Sequence, residues 1–144
     1  MNIVIETYES YSERDILPLY TAVGWTNYTC NPAMLKNAYE NSLCALAARD
    51  GQDIVGIIRA VGDGCSILYI QDLIVLPGYQ RRGIGRKLLA ELMSLYDNVY
   101  QTVLMTDADE GTAAFYRNVG LTDGDRYGCV LFMKIKSGGT NKDE

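Results

Sequence analysis

Apolar residues recur along the chain with two different periods, which predict strands and helices. Short apolar runs predict strands over residues 3–8, 43–49, 54–61, 99–105 and 130–135. Apolar positions at helical spacing predict helices over residues 12–23, 32–42, 83–96 and 110–119. A longer apolar run over residues 67–76 is typical of a central strand covered on both faces. The order β-α-α-β-β-β-α-β-α-β predicts one mixed α/β sheet with helices packed on it.

Polar and glycine-containing segments separate these elements. Ser12-Glu13-Arg14-Asp15 resembles a capping box at the start of the first helix, and Gly24 to Tyr28 is expected to form a loop. Asp50-Gly51-Gln52-Asp53 is typical of a hairpin turn. We expect a single domain over residues 1–136, followed by a flexible tail over residues 137–144.

The composition excludes several kinds of chemistry. The chain of 144 residues contains no histidine, so it has no Ser-His-Asp triad, no Cys-His triad and no His-ligated zinc. None of the four cysteines shows CxxC spacing, so we expect no metal and a reducing, cytoplasmic location. A net charge of −5 argues against general nucleic-acid binding. The apolar runs are too short to predict a membrane span.

One segment of this acidic chain is basic and rich in glycine. Residues 81–87 follow the long apolar run and enter the helix expected from Gly83. Unpaired backbone N–H groups at such a turn, together with the helix dipole, favour a phosphate or pyrophosphate. Neither a Walker A loop nor a dinucleotide fingerprint fits, because Gly83 is followed by Ile84-Gly85 and position 88 is leucine. The alternative is a tight turn before an ordinary helix. The four cations of the segment are Arg81, Arg82, Arg86 and Lys87.

Two linked motifs resemble those of one enzyme superfamily. Gln80-Arg81-Arg82-Gly83-Ile84-Gly85 resembles the Q/R-x-x-G-x-G/A pyrophosphate motif of the GNAT N-acetyltransferases, and it follows a long strand and precedes a Leu-rich helix as it does there. Further on, Ala114-Phe115-Tyr116-Arg117-Asn118-Val119-Gly120-Leu121 resembles the family's Ala-x-Tyr…Gly-Phe segment. The resemblance implies a small, single-domain, bacterial-type member of the superfamily. Its fold would be a mixed, mostly antiparallel sheet with a splayed and bulged strand pair, flanked by helices.

The resemblance also implies roles for individual residues. Main-chain groups of Leu73, Ile74 and Val75 are expected to bind the pantetheine arm of acetyl-CoA, and Tyr116 is expected to protonate the leaving thiolate. A phenol of pKa about 10 is a reasonable donor to a thiolate whose acid has a pKa of about 8.5. The family often has Asn seven residues before that tyrosine, whereas this chain has Asp109. The pyrophosphate is expected on Gln80, Arg81, Arg82, Gly83, Ile84, Gly85 and Arg86.

The sequence does not identify the group that accepts a proton from the amine, because the chain contains no histidine. Asp72 interrupts the apolar run 67–76, and burial makes a carboxylate a better base. It could equally bind a cationic amine directly. A third interpretation is a structural ion pair, for example with Arg59 on the preceding strand.

The sequence predicts an acetyl-CoA-dependent N-acetyltransferase that acts by direct attack of a primary amine in a ternary complex. Trp25 and Tyr28 lie in the loop that shapes the acceptor pocket in the superfamily, and they would suit a small amine with an apolar body. For Trp25 alone, filling of the core is an alternative. Two other functions stay open: acetylation of protein N-termini or lysines, and non-catalytic binding of acetyl-CoA by a regulator. A homodimer is possible by analogy with small members of the superfamily.

Overall fold

Five strands form one mixed sheet in this computed structural model, which describes residues 1–136. The strands are β1 (Ile3–Thr7), β2 (Cys44–Asp50), β3 (Asp53–Gly62), β4 (Ile67–Val75) and β5 (Gln101–Leu104), and they lie side by side in that order. The helices are α1 (Glu13–Ala22), α2 (Thr26–Thr29), α3 (Pro32–Glu40), α4 (Ile84–Leu95) and α5 (Glu110–Asn118). Short 3-10 turns cover Pro77–Tyr79 and Gly124–Tyr127.

The sheet is antiparallel from β1 to β4 and parallel only where β5 joins β4. That last pairing is short: it joins Ile67–Ile70 to Gln101–Leu104 and then stops. From Gln71 onward, β3 is the only described strand that pairs with β4. A bulge marks the same point, because the β3–β4 register steps from Asp72 directly to Ile70. The mixed, mostly antiparallel sheet with a splayed and bulged strand pair is therefore confirmed.

Helices cover both faces of this sheet because successive strand residues point to opposite sides. On one face, Ile57 of β3 and Ile74 of β4 join a buried cluster with side chains of α1, α2 and α3. On the other face, α4 lies close to β3 at Gly56, where a Cβ atom would meet Leu88 at 3.2 Å. The buried stripe of α4 consists of Ile84, Leu88, Leu89 and Leu92.

Three local predictions from the sequence are wrong. The expected loop after Gly24 contains a helical turn, α2, and Ser12 caps α1 without any side-chain hydrogen bond. Residues 130–135 form no strand, because a strand requires a hydrogen-bonded neighbour and this segment pairs with no strand of the described chain.

The chain divides into two units, Met1–Met105 and Thr106–Glu144, which are described separately. The first contains the sheet with α1 to α4. In the described part of the second, Arg117 on α5 makes ion pairs of 2.8 Å with Glu110 and with Asp123. The single domain over residues 1–136 stays a prediction, and the expected tail at 137–144 lies outside the described residues. No helix within residues 1–136 has the length and apolar character to span a membrane.

Candidate active site

The open edge of β4 is the first part of the candidate site. Leu76 donates its backbone N–H to Val55 of β3 at 2.9 Å. Because backbone groups alternate sides along an antiparallel strand, Ile74 also faces β3, whereas Leu73 and Val75 face the edge that β5 leaves uncovered. Of the three residues expected to bind the pantetheine arm, two therefore have main-chain groups available there.

The turn after β4 is the second part. Gln80 donates its side-chain amide to the Val75 carbonyl at 3.0 Å, which links the turn to the open edge. Arg81 has a φ of 65° and Gly83 a φ of 84°, so two left-handed residues shape the backbone before α4 begins. Such a conformation turns successive N–H groups towards one concave surface. In the described chain, none of the six backbone N–H groups of residues 81–86 has a hydrogen-bond partner.

The cations of this turn make no ion pair with any described acidic residue. Arg82 lies 5.7 Å from the ring centre of Tyr79, and the Tyr79 hydroxyl donates to Asp50 at 2.7 Å. Arg81 and Arg86 are exposed, and Gly83 is bordered by open space, with no atom within 4 Å of a Cβ built on it. Unpaired N–H donors, cations without an ion pair in the described chain, and free space are the features that an anion site requires.

Asp72 lies in a buried network on β4 rather than at the open edge. Its side chain is 3% exposed, and its carboxylate accepts hydrogen bonds from Tyr20 at 2.8 Å, from Tyr28 at 3.2 Å and from Arg59 at 2.8 Å. Arg59 is 4% exposed and also donates to Ser42 at 3.1 Å. The ion pair that the sequence offered as the third interpretation of Asp72 is thus present.

The network continues through three phenols. The Tyr20 and Tyr39 hydroxyls lie 2.9 Å apart, and Tyr28 accepts from Gln71 at 3.3 Å. Burial raises the pKa of Tyr20, Tyr28 and Tyr39, so all three remain protonated donors at neutral pH. Gln71 is the bulge residue at which β4 leaves β5, so the Tyr28 hydroxyl lies at the start of the open edge.

Trp25 and Tyr28 pack together with Tyr20. The ring centres lie 5.9 Å apart for Trp25 and Tyr20, and 4.9 Å apart for Tyr20 and Tyr28. Trp25 is half-buried against the core, and Tyr28 is 8% exposed. Trp25 therefore contributes to the core, as the alternative interpretation held, while its exposed part remains accessible.

The second unit holds the other expected residue, Tyr116 on α5. This side chain is half-buried, and burial raises the pKa of its phenol. Its hydroxyl has no hydrogen-bond partner among residues 1–136. Asp109, which stands in place of the family's Asn, is the N-cap of α5 and accepts from the Thr112 N–H at 3.0 Å.

Comparison with known proteins identifies the family. Residues 40–122 match the model of the acetyltransferase (GNAT) domain. The chain belongs to the GNAT family of acetyltransferases. A solved GNAT family acetyltransferase from Streptococcus pneumoniae is 42% identical, covers 94% of this chain and 99% of its own, and superposes with a TM-score of 0.86. Members of this family are transferases that use acetyl-CoA.

Other relatives of this GNAT protein differ in the acceptor that their names give. Histone acetyltransferase TAP1 of Glycine max is 31% identical over 74% of this chain and 50% of its own. The chain spans about half the length of the first curated relatives it matches. A structure of AAC(6′)-Iy in complex with a bisubstrate analogue, CoA-S-monomethyl-acetylneamine, shares the fold at a TM-score of 0.71 and 13% identity, with 94% and 99% of the two chains covered.

Sequence reasoning missed most of the buried network in this GNAT fold. Tyr20 and Tyr39 fall at apolar positions of the helices predicted over residues 12–23 and 32–42, so the sequence does not distinguish them from ordinary core residues. The pair Gln71-Asp72 was the available signal, because two polar residues inside an apolar run indicate either a bulge or buried partners.

Proposed function

We propose that this protein transfers the acetyl group of acetyl-CoA directly to the primary amine of a small molecule, as an N-acetyltransferase. The observation that carries the proposal is the run of unpaired N–H groups over residues 81–86, next to the uncovered edge of β4. A pyrophosphate fits the first feature, and an extended, amide-containing pantetheine arm fits the second. The two features are joined by the hydrogen bond from Gln80 to Val75.

The pyrophosphate and the pantetheine arm of acetyl-CoA each have binding groups in this proposal. The pyrophosphate accepts hydrogen bonds from backbone N–H groups of the turn, while Arg81, Arg82 and Arg86 balance its charge. The pantetheine amides pair with the outward main-chain groups of Leu73 and with the outward N–H of Val75, whose carbonyl already accepts from Gln80, as an added strand does. The main-chain groups of Ile74 face β3 and are not available to the pantetheine arm. The Ile74 side chain packs in the core.

The proposed chemistry needs no covalent enzyme intermediate. The neutral amine attacks the thioester carbonyl and forms the new C–N bond, and an N–H group of β4 stabilises the negative charge on the oxygen. The C–S bond then breaks, and the departing thiolate takes a proton from the Tyr116 hydroxyl. The raised pKa of Tyr116 keeps this hydroxyl protonated until the thiolate forms. The nitrogen of the new amide loses its extra proton to solvent. The Tyr116 phenolate takes up a proton from solvent, which restores the phenol.

For Asp72 we propose a positioning role in place of the general base. Its carboxylate is buried and already accepts from three donors, so an incoming amine would have to displace one of them. Through Tyr28 it instead fixes the aromatic surface at the start of the open edge. The catalytic role expected from the sequence stays a prediction that kinetics must test.

The acceptor in this proposal is a small amine with an apolar body. Hydrogen bonds to Asp72, Arg59 and Gln71 fix the Tyr28 ring, and Trp25 supplies a partly exposed aromatic surface nearby. An ammonium group would gain cation–π attraction there, and an apolar body would gain buried contact area. A peptide acceptor is the second candidate, because the Glycine max relative is named a histone acetyltransferase.

The experiment is a CoA-release assay over a panel of arylalkylamines, polyamines, aminoglycosides, amino acids and lysine-containing peptides. We expect at least one small amine to reach a kcat/KM at least about tenfold above the best peptide, equivalent to about 1.4 kcal/mol. Release driven only by peptides would instead establish the protein acceptor. Tight acetyl-CoA binding without release by any acceptor would indicate the regulator. The cytoplasmic location stays a prediction.

A further inference from the structure

Tyr79 joins the turn after β4 to the hairpin between β2 and β3. Its hydroxyl donates to the Asp50 carboxylate at 2.7 Å, and Asp50 is the last residue of β2. Its backbone N–H donates to the Leu76 carbonyl at 2.8 Å, so both the main chain and the side chain of Tyr79 are held. The hydrogen bond to Asp50 therefore fixes the half-buried phenol ring against an element that is distant in the sequence.

The fixed ring lies beside a cation of the basic turn. The central carbon of the Arg82 guanidinium lies 5.7 Å from the ring centre, within the range of a cation–π contact. Arg82 also donates to the Met1 sulfur at 3.3 Å. Within residues 1–136, no ion pair, side-chain hydrogen bond or aromatic contact holds Arg81 or Arg86. Of these three arginines, the described fold therefore sets the direction of Arg82.

The acid that holds the ring stands close to this basic turn. The hydrogen bond to Asp50, together with the negative charges of Asp50 and Asp53, raises the pKa of Tyr79, so the phenol remains a donor at neutral pH. Neither carboxylate makes an ion pair with a cation of the described chain. A negative charge near an anion site is unfavourable for binding, so the contribution that the structure shows for Asp50 is its hydrogen bond to Tyr79.

Holding Arg82 in advance favours the binding of an anion. A free arginine side chain samples many rotamers and loses that freedom when it binds a phosphate. Arg82 has already lost part of this freedom on the Tyr79 ring, where it stays exposed and without an ion pair in the described chain. Its guanidinium therefore binds a pyrophosphate at a lower entropic cost than an arginine that nothing holds.

We propose that Asp50 and Tyr79 are positioning residues of the pyrophosphate site. The Asp50 carboxylate holds the Tyr79 ring, and the ring directs Arg82 towards the bound pyrophosphate. The proposal rests on the proposed function, in which acetyl-CoA is the donor. It adds to that function two residues that lie outside the turn over residues 81–86, one of them on a separate hairpin.

The first test measures the dissociation constant of acetyl-CoA by calorimetry. Tyr79→Phe keeps the ring and removes the hydroxyl, and we expect the constant to rise about fivefold. Tyr100→Phe is the matched control, because Tyr100 is 84% exposed before β5 and makes no contact with the turn, and it should keep the wild-type affinity. A constant for Tyr79→Phe within about twofold of wild type overturns the positioning role and leaves the proposed function standing. A wild type that binds no acetyl-CoA overturns both.

The second test separates the hydrogen bond of Asp50 from its charge. Asp50→Asn and Asp50→Ala both remove the negative charge, but asparagine keeps an oxygen that accepts from the Tyr79 hydroxyl. We expect the dissociation constant of acetyl-CoA to be at least about threefold higher for Asp50→Ala than for Asp50→Asn. Equal constants for the two variants would show that Asp50 does not act through Tyr79.

The third test combines Tyr79→Phe with Arg82→Gln in a double-mutant cycle. If the ring acts through Arg82, Tyr79→Phe changes the affinity by less than about twofold in the Arg82→Gln background, because the side chain that the ring directs is gone. A structural role of Tyr79 in the turn, independent of Arg82, predicts the same loss of about fivefold in both backgrounds. That additive result would overturn the proposal even if each single variant weakens binding.

Discussion

Strand β4 and the turn that follows it hold charged groups that are close in the sequence and that the structure treats in opposite ways. Around Asp72, every charge and hydroxyl of the network has a partner inside the protein, and both charged side chains are at most 4% exposed. In the turn over residues 81–86, six N–H groups have no partner and the neighbouring cations make no ion pair in the described chain, although Arg82 lies over the Tyr79 ring and donates to the Met1 sulfur. In the sequence, both regions are recognisable by their polar residues: Gln71 and Asp72 interrupt the apolar run 67–76, and the basic turn follows that run.

In the proposed function, this difference separates groups that stabilise the fold from groups that bind a ligand. A buried ion pair must satisfy itself, because an unpaired buried charge costs several kcal/mol. Donors at the surface can stay open, since water bonds them until an anion replaces it. Buried charges that are paired with each other are therefore a weaker sign of a ligand site here than unpaired donors that face open space. The following predictions test this separation.

The largest expected effect is on stability, from Asp72→Asn. The substitution keeps an oxygen for Tyr20 but removes the charge opposite Arg59, which leaves a buried cation without a counter-charge. We expect the free energy of unfolding to fall by about 3 kcal/mol, measured by urea denaturation. The double variant Arg59→Met/Asp72→Asn removes that cation and should recover at least about half of the loss.

Kinetics of the same variant decide between the roles of Asp72. In the positioning role, Asp72→Asn measured well below its unfolding transition keeps the shape of the pH profile of kcat/KM. Loss of an ascending limb from that profile would instead make Asp72 the general base, and an isolated rise in acceptor KM would make it the amine-binding charge.

A smaller effect is expected on acetyl-CoA affinity from Gly83→Val. Gly83 has a φ of 84°, which a β-branched residue avoids, so the N–H groups that follow it should turn away from their common surface. We expect the dissociation constant by calorimetry to rise about thirtyfold, or about 2 kcal/mol. Gly78→Val is the matched control, because Gly78 is equally open and lacks a positive φ. Gly83→Asn, which tolerates the left-handed conformation, should retain most of the affinity. Equal affinity for all three variants would refute the anion site.

The two regions also differ in how far the sequence reveals them. The turn is local: its glycines, cations and position between a strand and a helix are adjacent in the chain, and the structure agrees with the expected boundaries of α4. The network joins Tyr20, Tyr39, Arg59 and Asp72, which the fold alone brings together. No periodicity predicts such pairs, although Arg59 was identifiable as the residue opposite Asp72 on a neighbouring strand.

The wrong strand at residues 130–135 has a related cause. Its apolar pattern is a correct sign of β propensity, but pairing requires an edge that local sequence does not specify. The same limit explains α2, where Trp25 and Tyr28 pack against Tyr20 and so favour a helical turn over an open loop.

A still smaller effect is expected on the single-turnover rate from Tyr116→Phe. This variant compares a hydroxyl without a described partner with the hydroxyls of the buried network. Tyr20, Tyr28 and Tyr39 use their hydroxyls inside the network, whereas the Tyr116 hydroxyl has no partner in the described residues. As the acid of the reaction, its loss should reduce the single-turnover rate at least about tenfold, or about 1.4 kcal/mol, with acetyl-CoA affinity unchanged. Tyr127→Phe, at an exposed tyrosine, should have no effect. A rate within about twofold of wild type would remove Tyr116 from the mechanism.

The smallest expected effect is on the melting temperature, from substitution of Asp109 at the N-terminus of α5. There, unlike at the N-terminus of α4, a side chain of the protein accepts a hydrogen bond from a backbone N–H group of the helix. Asp109 accepts from the N–H and the hydroxyl of Thr112, and these hydrogen bonds hold the pKa of its carboxyl below the ordinary value. A lowered pKa in the folded state means that the cap stabilises α5 above the carboxyl's unfolded pKa, about 4, and that this contribution is lost as the pH falls through the folded value. Asp109→Ala should therefore lower the melting temperature by a few degrees at pH 7 and by less at pH 3. Asp109→Asn keeps an oxygen for the same N–H, so it should lose less at pH 7 and show no such pH dependence. An equal loss from Asp109→Ala at both pH values would mean that the charge of Asp109 contributes nothing to the cap.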